Sequence, residues 1–409
     1  MGADLTSYDS VLKEHYTNER IEMLVYKDNP FLALLAKYEK FGGKSLPIPL
    51  IYGNPQGRSA TFTNAQTRGA ATASQITDFN LTRVKDYSIA TIDNETLEAS
   101  KGNANAFIDA VTTEIDGAFH ALTRSLAVSL FRTSAGYVGQ VSVEPTENAS
   151  TFVITLSEPD DVTNFELDQV LVIWSAVTAG TQRTSDGSDD EWVISAIDRS
   201  AGTLTLSGTY SASGTIAAND YIFVEGDRGL KVSGLLDWIP VSAPGATAFF
   251  GVSRNVDSTR LGGIRHDGSA QSIEEGLISL ASKIAREGGK PEVCFMNYAK
   301  YAELEKSLGS KVQYVDLEMN AKIGFRGISV QGPRGPIKVI ADHNCPSPYG
   351  WMLQMDTWKL YSLGKAVRSI DTDGMEMLRQ SAADGVEARI GFYGNLGCSA
   401  PGYNGIITF

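Results

Sequence analysis

Apolar residues recur at helical spacing in two short pieces near the start of the chain. Ile21, Leu24 and Val25 lie within Asn18 to Tyr26, and Phe31, Leu34, Leu35 and Tyr38 come after Pro30. Pro30 separates the pieces, and Pro47 and Pro49 force an extended path. Residues 1–52 therefore read as an arm with too few apolar side chains for a core of its own. From Gly53 to Thr77 the sequence is GNPQGRSATFTNAQTRGAATASQIT, with Phe62 and Ile76 as its only large apolar residues. Such a stretch cannot offset its ordering entropy by burying its own surface, so it is either disordered or completed by another chain. The next segment favours completion, because Phe79, Leu81, Val84, Tyr87, Ile89 and Ile92 include runs that alternate as β-strands do. A two-stranded ribbon over residues 53–92 is predicted, and an isolated ribbon is marginal in water.

A single stripe of Phe107, Val111, Ile115, Phe119, Leu122, Leu126 and Leu130 then predicts one long helix over 104–133, a rod of about 45 Å. Beyond it, Thr151 to Leu156, Gln169 to Trp174, Glu191 to Ile197, Thr203 to Ser207 and Tyr221 to Glu225 alternate like antiparallel sheet. After Lys231 the pattern is mixed. Ser272 and Glu275 form a capping box ahead of Ile273, Leu277, Leu280, Ala281 and Ile284. A strand at Val293 to Met296 leads to a helix at Tyr298 to Leu308. Further strands lie at Ile328 to Val330, Ile337 to Ala341, Trp351 to Met355, Lys359 to Leu363 and Glu387 to Tyr393. The fold class is α+β, with an all-β insertion.

Charge sharpens this division. The chain of 409 residues carries a formal net charge of -13. Residues 137–230 hold 15 acidic groups, three arginines (Arg183, Arg199, Arg228) and no lysine, while the remainder holds 33 acidic and 32 basic groups. A segment so charged repels nucleic acid and is best placed facing solvent. From Lys40 to Thr77, by contrast, there is no acid, only Lys40, Lys44, Arg58 and Arg68. No apolar run reaches the roughly 18 residues needed to span a bilayer. The start, Met1 to Thr6, lacks the basic and apolar stretches of a secretory signal, so folding where the chain is made is expected. Cys294, Cys345 and Cys398 are odd in number and widely spaced, which suits buried thiols.

Catalytic and metal-binding patterns are weak. Gly42-Gly43-Lys44-Ser45 ends like a phosphate loop, but Tyr38 stands where the motif needs its first glycine. His343 lies two residues from Cys345 without further ligands, and Asp371 to Gly374 and Asp186 to Glu191 lack the spacing of a calcium loop. The five tryptophans lie in apolar runs that suit core packing. No enzymatic activity, cofactor or metal is expected.

The order of parts resembles the tailed-bacteriophage major capsid protein of the Hong Kong 97-type fold. The likeness rests on the ribbon and spine (Asp78 to Thr133), on Pro291-Glu-Val-Cys-Phe-Met-Asn297, on Gly335 to Asp342, and on Arg389 to Pro401. It implies an N-terminal arm over 1–52, an extended loop over 53–92, and a peripheral domain over 93–136 with return strands at 361–394. It further implies an axial domain over 231–360 completed by 395–409, with the acidic insertion at 137–230 displayed outward. By the same resemblance the extended loop lies across an adjacent subunit, with Arg58, Phe62, Arg68, Ile76 and Phe79 as contact residues. The implied partners are further copies of the chain in pentamers and hexamers, with scaffolding, portal and decoration proteins beside them. The implied product is a virion capsid, assembled in the host bacterial cytoplasm around double-stranded DNA without sequence-specific contact and without a membrane. Certain relatives crosslink a loop lysine to a neighbour's asparagine. Here Lys85 is the only lysine between Ser45 and Ser100, and no crosslink is expected. An encapsulin-type shell and a glycan-binding surface protein built on the insertion are the alternatives.

Overall fold

A computed structural model describes residues 29–94, 104–146, 148, 150–185, 191–211, 213–308, 314–316, 326–371, 374, 377–380 and 384–409. The expected helix at Asn18 to Tyr26, most of Asp186 to Glu191 and part of Asp371 to Gly374 lie outside the described residues. So do the side chains of Phe107 and Val111.

The apolar stripe of the long helix decides what it can pack against. Ala104–Phe131 spans 28 residues, about 42 Å, and buries Ile115, Phe119, Leu122, Leu126 and Leu130 in the largest core. Much of this core comes from a six-stranded sheet centred on the strand Gly385–Cys398. That strand pairs along one edge with Val84–Asp93. Along its other edge it pairs in succession with Met377–Arg379, Arg368–Ser369 and Trp358–Ser362. Near the N-terminus the helix covers only Pro30–Leu34, and the continuation expected through Tyr38 is instead a strand, Ala36–Tyr38. An open sheet edge explains the difference, because Ala36, Lys37 and Tyr38 pair in parallel with Lys359, Leu360 and Tyr361.

A second sheet of seven strands runs in the spatial order Ile264–Asp267, Gly405–Thr408, Tyr349–Leu353, Val293–Met296, Gly335–Ala341, Arg326–Gly332, Tyr314–Asp316. The helix Ile273–Arg286 packs Leu277, Leu280, Ala281 and Ile284 into its core. The capping box forms as the sequence indicates. Ser272 Oγ accepts from the Glu275 N–H at 3.4 Å, and Glu275 Oε2 accepts from the Ser272 N–H at 3.4 Å. All three cysteines are buried and free. Burial pushes the Cys294 and Cys398 thiols up to about 12.

The acidic insertion is a small barrel. Its strands lie in the order Tyr137–Gln140, Tyr221–Val224, Val170–Trp174, Trp192–Asp198, Thr203–Ser207, Thr151–Thr155. The first and last strands then meet through the bridge between Val141 and Leu156. The Ser142 N–H donates to the Thr155 carbonyl at 2.8 Å, and the Ser157 N–H donates to the Gln140 carbonyl at 2.8 Å. Closure removes the free sheet edges that would invite aggregation. The interior is a separate core of Phe152, Ile154, Phe165, Leu171, Ile173, Trp192, Leu204, Leu206 and Ile222, among others. The strand Tyr137–Gln140 has no signal in the sequence; its partner Tyr221–Val224 supplies the pairing that a four-residue run cannot announce alone.

Entry and exit of the barrel are adjacent, since the Gly229 N–H donates to the Ala135 carbonyl at 2.8 Å. Charged contacts fix it to the body. Arg132 Nη2 reaches Asp161 Oδ1 at 2.6 Å, and Arg124 pairs with Glu166. Lys231 Nζ lies 2.9 Å from both Asp86 Oδ2 and Asp227 Oδ2, and 2.8 Å from Ser125 Oγ. Burial alone would lower the Lys231 ammonium, but the carboxylates of Asp86 and Asp227 outweigh it and hold it above its ordinary value.

A closed barrel with its own core and neighbouring ends should fold alone. Residues 134–231 expressed by themselves are expected to show sheet-type circular dichroism and one cooperative thermal transition. A chain that stays unfolded under native conditions would contradict the independence of this core.

Candidate subunit-contact site on a projecting hairpin

The ribbon forms with a different pairing from the expected one. Ser45–Gly53 pairs antiparallel with Gln75–Thr82, whereas Val84–Asp93 turns away into the six-stranded sheet. The outer strand therefore comes from the apparent arm, and the expected second half of the loop belongs to the body. Leu46, Ile48, Leu50 and Tyr52 alternate and could have signalled the first strand, but Pro47 and Pro49 mask it. These prolines sit two residues apart, so they share one edge. Opposite Asn80 and Asp78 they occupy positions where no donated ladder bond is needed, and they blunt the outer edge.

At its base the hairpin is fixed by burial. Phe79 is fully buried, with its ring centroid 5.0 Å from Trp238 and 6.3 Å from Phe249, edge-on to both. The Asn80 N–H donates to the Phe250 carbonyl at 2.9 Å, and Leu81 and Ile48 are buried beside it. Phe79 is thus corrected: expected at a subunit contact, it lies on a strand that enters the chain's own core, and its ring is engaged there. Farther out, Arg260 Nη1 donates to the Tyr52 carbonyl at 2.7 Å, and Tyr52 Oη donates to Gln75 Oε1 at 3.3 Å. These bonds brace the hairpin at mid-length.

Beyond Gly53 the character changes. Nine extended residues give the strand a reach of about 30 Å. From Asn54 to Ser74 no residue is buried. A ten-residue helix, Phe62–Ala71, forms there without any expectation from the sequence. Thr61 precedes it without a side-chain cap, and the Thr61 N–H donates to Ser59 Oγ at 3.3 Å. The helix folds back on the preceding strand so closely that a Cβ on Gly57 would meet Gly69 Cα at 2.9 Å. Its composition of Ala, Thr, Gln and Gly is the only signal for it, and that signal is shared with loops.

Four of the five expected contact residues come together here. Phe62 is 82% exposed, and Ile51 and Ile76, directly paired across the strands, are 65% and 63% exposed. Arg58 and Arg68 are also exposed, and neither makes an ion pair among the described residues. Ile51 escapes a reading of the sequence alone, because the pair Leu50-Ile51 falls within the apparent arm. An apolar, cationic knob held by a rigid stem can bind a complementary surface; it has no group suited to chemistry.

Other candidates fall away on geometry. Among the described residues no cluster of His, Cys, Asp and Glu could hold a metal. Cys345 Sγ lies 3.5 Å from the Tyr349 carbonyl, and burial raises its thiol well above the usual range. His343 stacks on Tyr298, with centroids 6.5 Å apart. No described helix is long and apolar enough to cross a membrane.

No family model matches the chain, and no curated protein does. Solved structures of similar shape exist. The capsid asymmetric unit of cyanophage A-1(L) aligns over 93% of this chain and 92% of that one, with a TM-score of 0.49 and 13% identity. A structure from Mycobacterium phage Ogopogo aligns over 93% and 92%, at TM-score 0.42 and 10% identity. The holo-SrpI encapsulin complex from Synechococcus elongatus aligns over 92% and 86%, at 0.41 and 6%.

The two phenylalanines of the hairpin should behave oppositely. In the unassembled chain, Phe79→Ala is expected to lower stability by about 3–5 kcal/mol. Phe62→Ala should stay within about 0.5 kcal/mol. Denaturant titration of both variants checks the contrast.

Proposed function

We propose that this chain is a major capsid protein of a tailed bacteriophage. Copies assemble in the host bacterial cytoplasm into an icosahedral shell that encloses double-stranded DNA. The observation that carries this reading is the hairpin tip: 21 residues, Asn54 to Ser74, none of them buried, bearing apolar and cationic side chains on a braced stem. A surface of this kind is stable in water only when something covers it, and a second copy always supplies the same complementary partner.

In this reading the spine helix and the six-stranded sheet form the peripheral domain. The seven-stranded sheet with its two helices forms the axial domain that packs around five-fold and six-fold axes. The barrel points outward, in keeping with its 15 acids and absence of lysine. DNA is confined mechanically, since the chain outside the barrel holds 32 basic groups against 33 acidic ones. Scaffolding, portal and decoration proteins are the further partners. The glycan-binding alternative loses its support, because Trp192 is buried and the Arg228 guanidinium covers the Trp174 ring at 3.7 Å. That leaves no open tryptophan platform on the barrel.

Electron microscopy of the purified protein should show closed particles of uniform diameter. Trypsin should cut after Arg58 and Arg68 in dispersed subunits and spare both bonds in particles. Nucleic acid inside particles from infected cells supports the phage reading, whereas a packaged enzyme points to an encapsulin. A monomer whose tip resists protease at every concentration would sink the proposal.

A further inference from the structure

The surface carries a hole as well as a knob. Between the spine helix, the strand Val84–Asp93 and the barrel lies a cleft of about 430 Å³. Leu122, Val128, Val138, Val224 and Tyr87 give it an apolar lining. The chain's own hairpin tip contributes none of the lining residues.

Charge at the mouth is uneven. Every cation there is already engaged within the chain: Arg132 by Asp161, Lys231 by Asp86 and Asp227, and Arg124 and Arg199 by Glu166. Glu225 lines the cleft and its carboxylate has no partner among the described residues. Asp168 sits between the lining residues Glu166 and Gln169, exposed and equally unpartnered among the described residues, next to Leu167 at 57% exposure. An apolar slot rimmed by two open carboxylates mirrors an apolar knob flanked by Arg58 and Arg68. The field of the whole barrel, with 15 acids against three arginines, draws cations toward this side of the molecule.

We infer that the hairpin tip of one copy docks into the cleft between spine helix and barrel of a neighbouring copy. Phe62 enters the slot, and the two arginines face Asp168 and Glu225. The inference rests on the proposed shell function and deepens it by naming the surface that receives the tip. Knob and hole lie on different parts of one subunit, so the contact is head-to-tail and propagates around a ring. It gives the barrel a second task, as one wall of the socket. Electrostatic complementarity of this kind sets encounter rate and register more than strength.

The test uses the full chain. Phe62→Cys combined with Leu167→Cys, assembled and then treated with a short bismaleimide, should give a ladder of covalent multimers on a denaturing gel. Each single variant should stay monomeric, since the three native cysteines are buried. In parallel, Arg58→Glu with Arg68→Glu should slow particle formation at least tenfold, and adding Asp168→Arg with Glu225→Arg should restore it. Normal particles that yield no ladder, or charge reversal without effect on assembly, would overturn the docking site and leave the shell function standing. Failure of the unaltered chain to form particles would overturn both.

Discussion

The pairing of Val84–Asp93 with Gly385–Gly394 is the contact on which the other parts depend. It joins segments roughly 300 residues apart, at a closure cost of about 5 kcal/mol for a flexible chain of that length. Ten residue pairs and the burial of Ala90, Ile92, Ala388, Ile390 and Phe392 under the spine helix offset that cost. Until it forms, the spine helix has half a surface to lie on and the hairpin has no base. The chain is therefore committed to non-local contacts, the kind that form slowly because loop closure precedes the reward.

Around this contact the molecule separates rigid from unsatisfied regions. Trp238 marks the boundary. It touches Phe79 from the hairpin, Phe249 from the loop beyond it and Trp358 from the sheet, and its Nε1 donates to the Leu396 carbonyl at 3.0 Å. Inside that knot the hairpin is core; outside it the same two strands carry Ile51 and Ile76 into solvent. The free edges are managed by two different means. Pro47 and Pro49 deny the outer hairpin edge to strand addition, while the barrel closes on itself through Val141 and Leu156. The surface left exposed for association is made of side chains, which confer selectivity that bare backbone edges lack.

The joint between barrel and body shows how charge is used. Lys231 is nearly buried, and it stays protonated because Asp86 from the sheet and Asp227 from the barrel exit both face it. One ammonium thus ties two segments 141 residues apart in sequence. Removing it would strand two partly buried carboxylates, a change that costs far more than the net worth of the pair.

The sequence by itself determined the elements whose periodicity is long or whose ends are marked: the spine helix, the helix behind the Ser272 and Glu275 box, the strands Val293–Met296 and Thr203–Ser207, and an acidic all-β insertion. It also marked the tip, through a scarcity of apolar residues that no local structure could repair. Tertiary structure alone decided which strand faces which. Val84–Asp93 alternates equally well for a ribbon or for a sheet, and its register was fixed by a partner nearly 300 residues away. Phe79 and Phe62 are the same residue type in neighbouring segments, yet one is a core residue and the other is bare. Hydrophobicity sets the incentive to be buried, but whether a surface is there to do it depends on where the rest of the chain arrives.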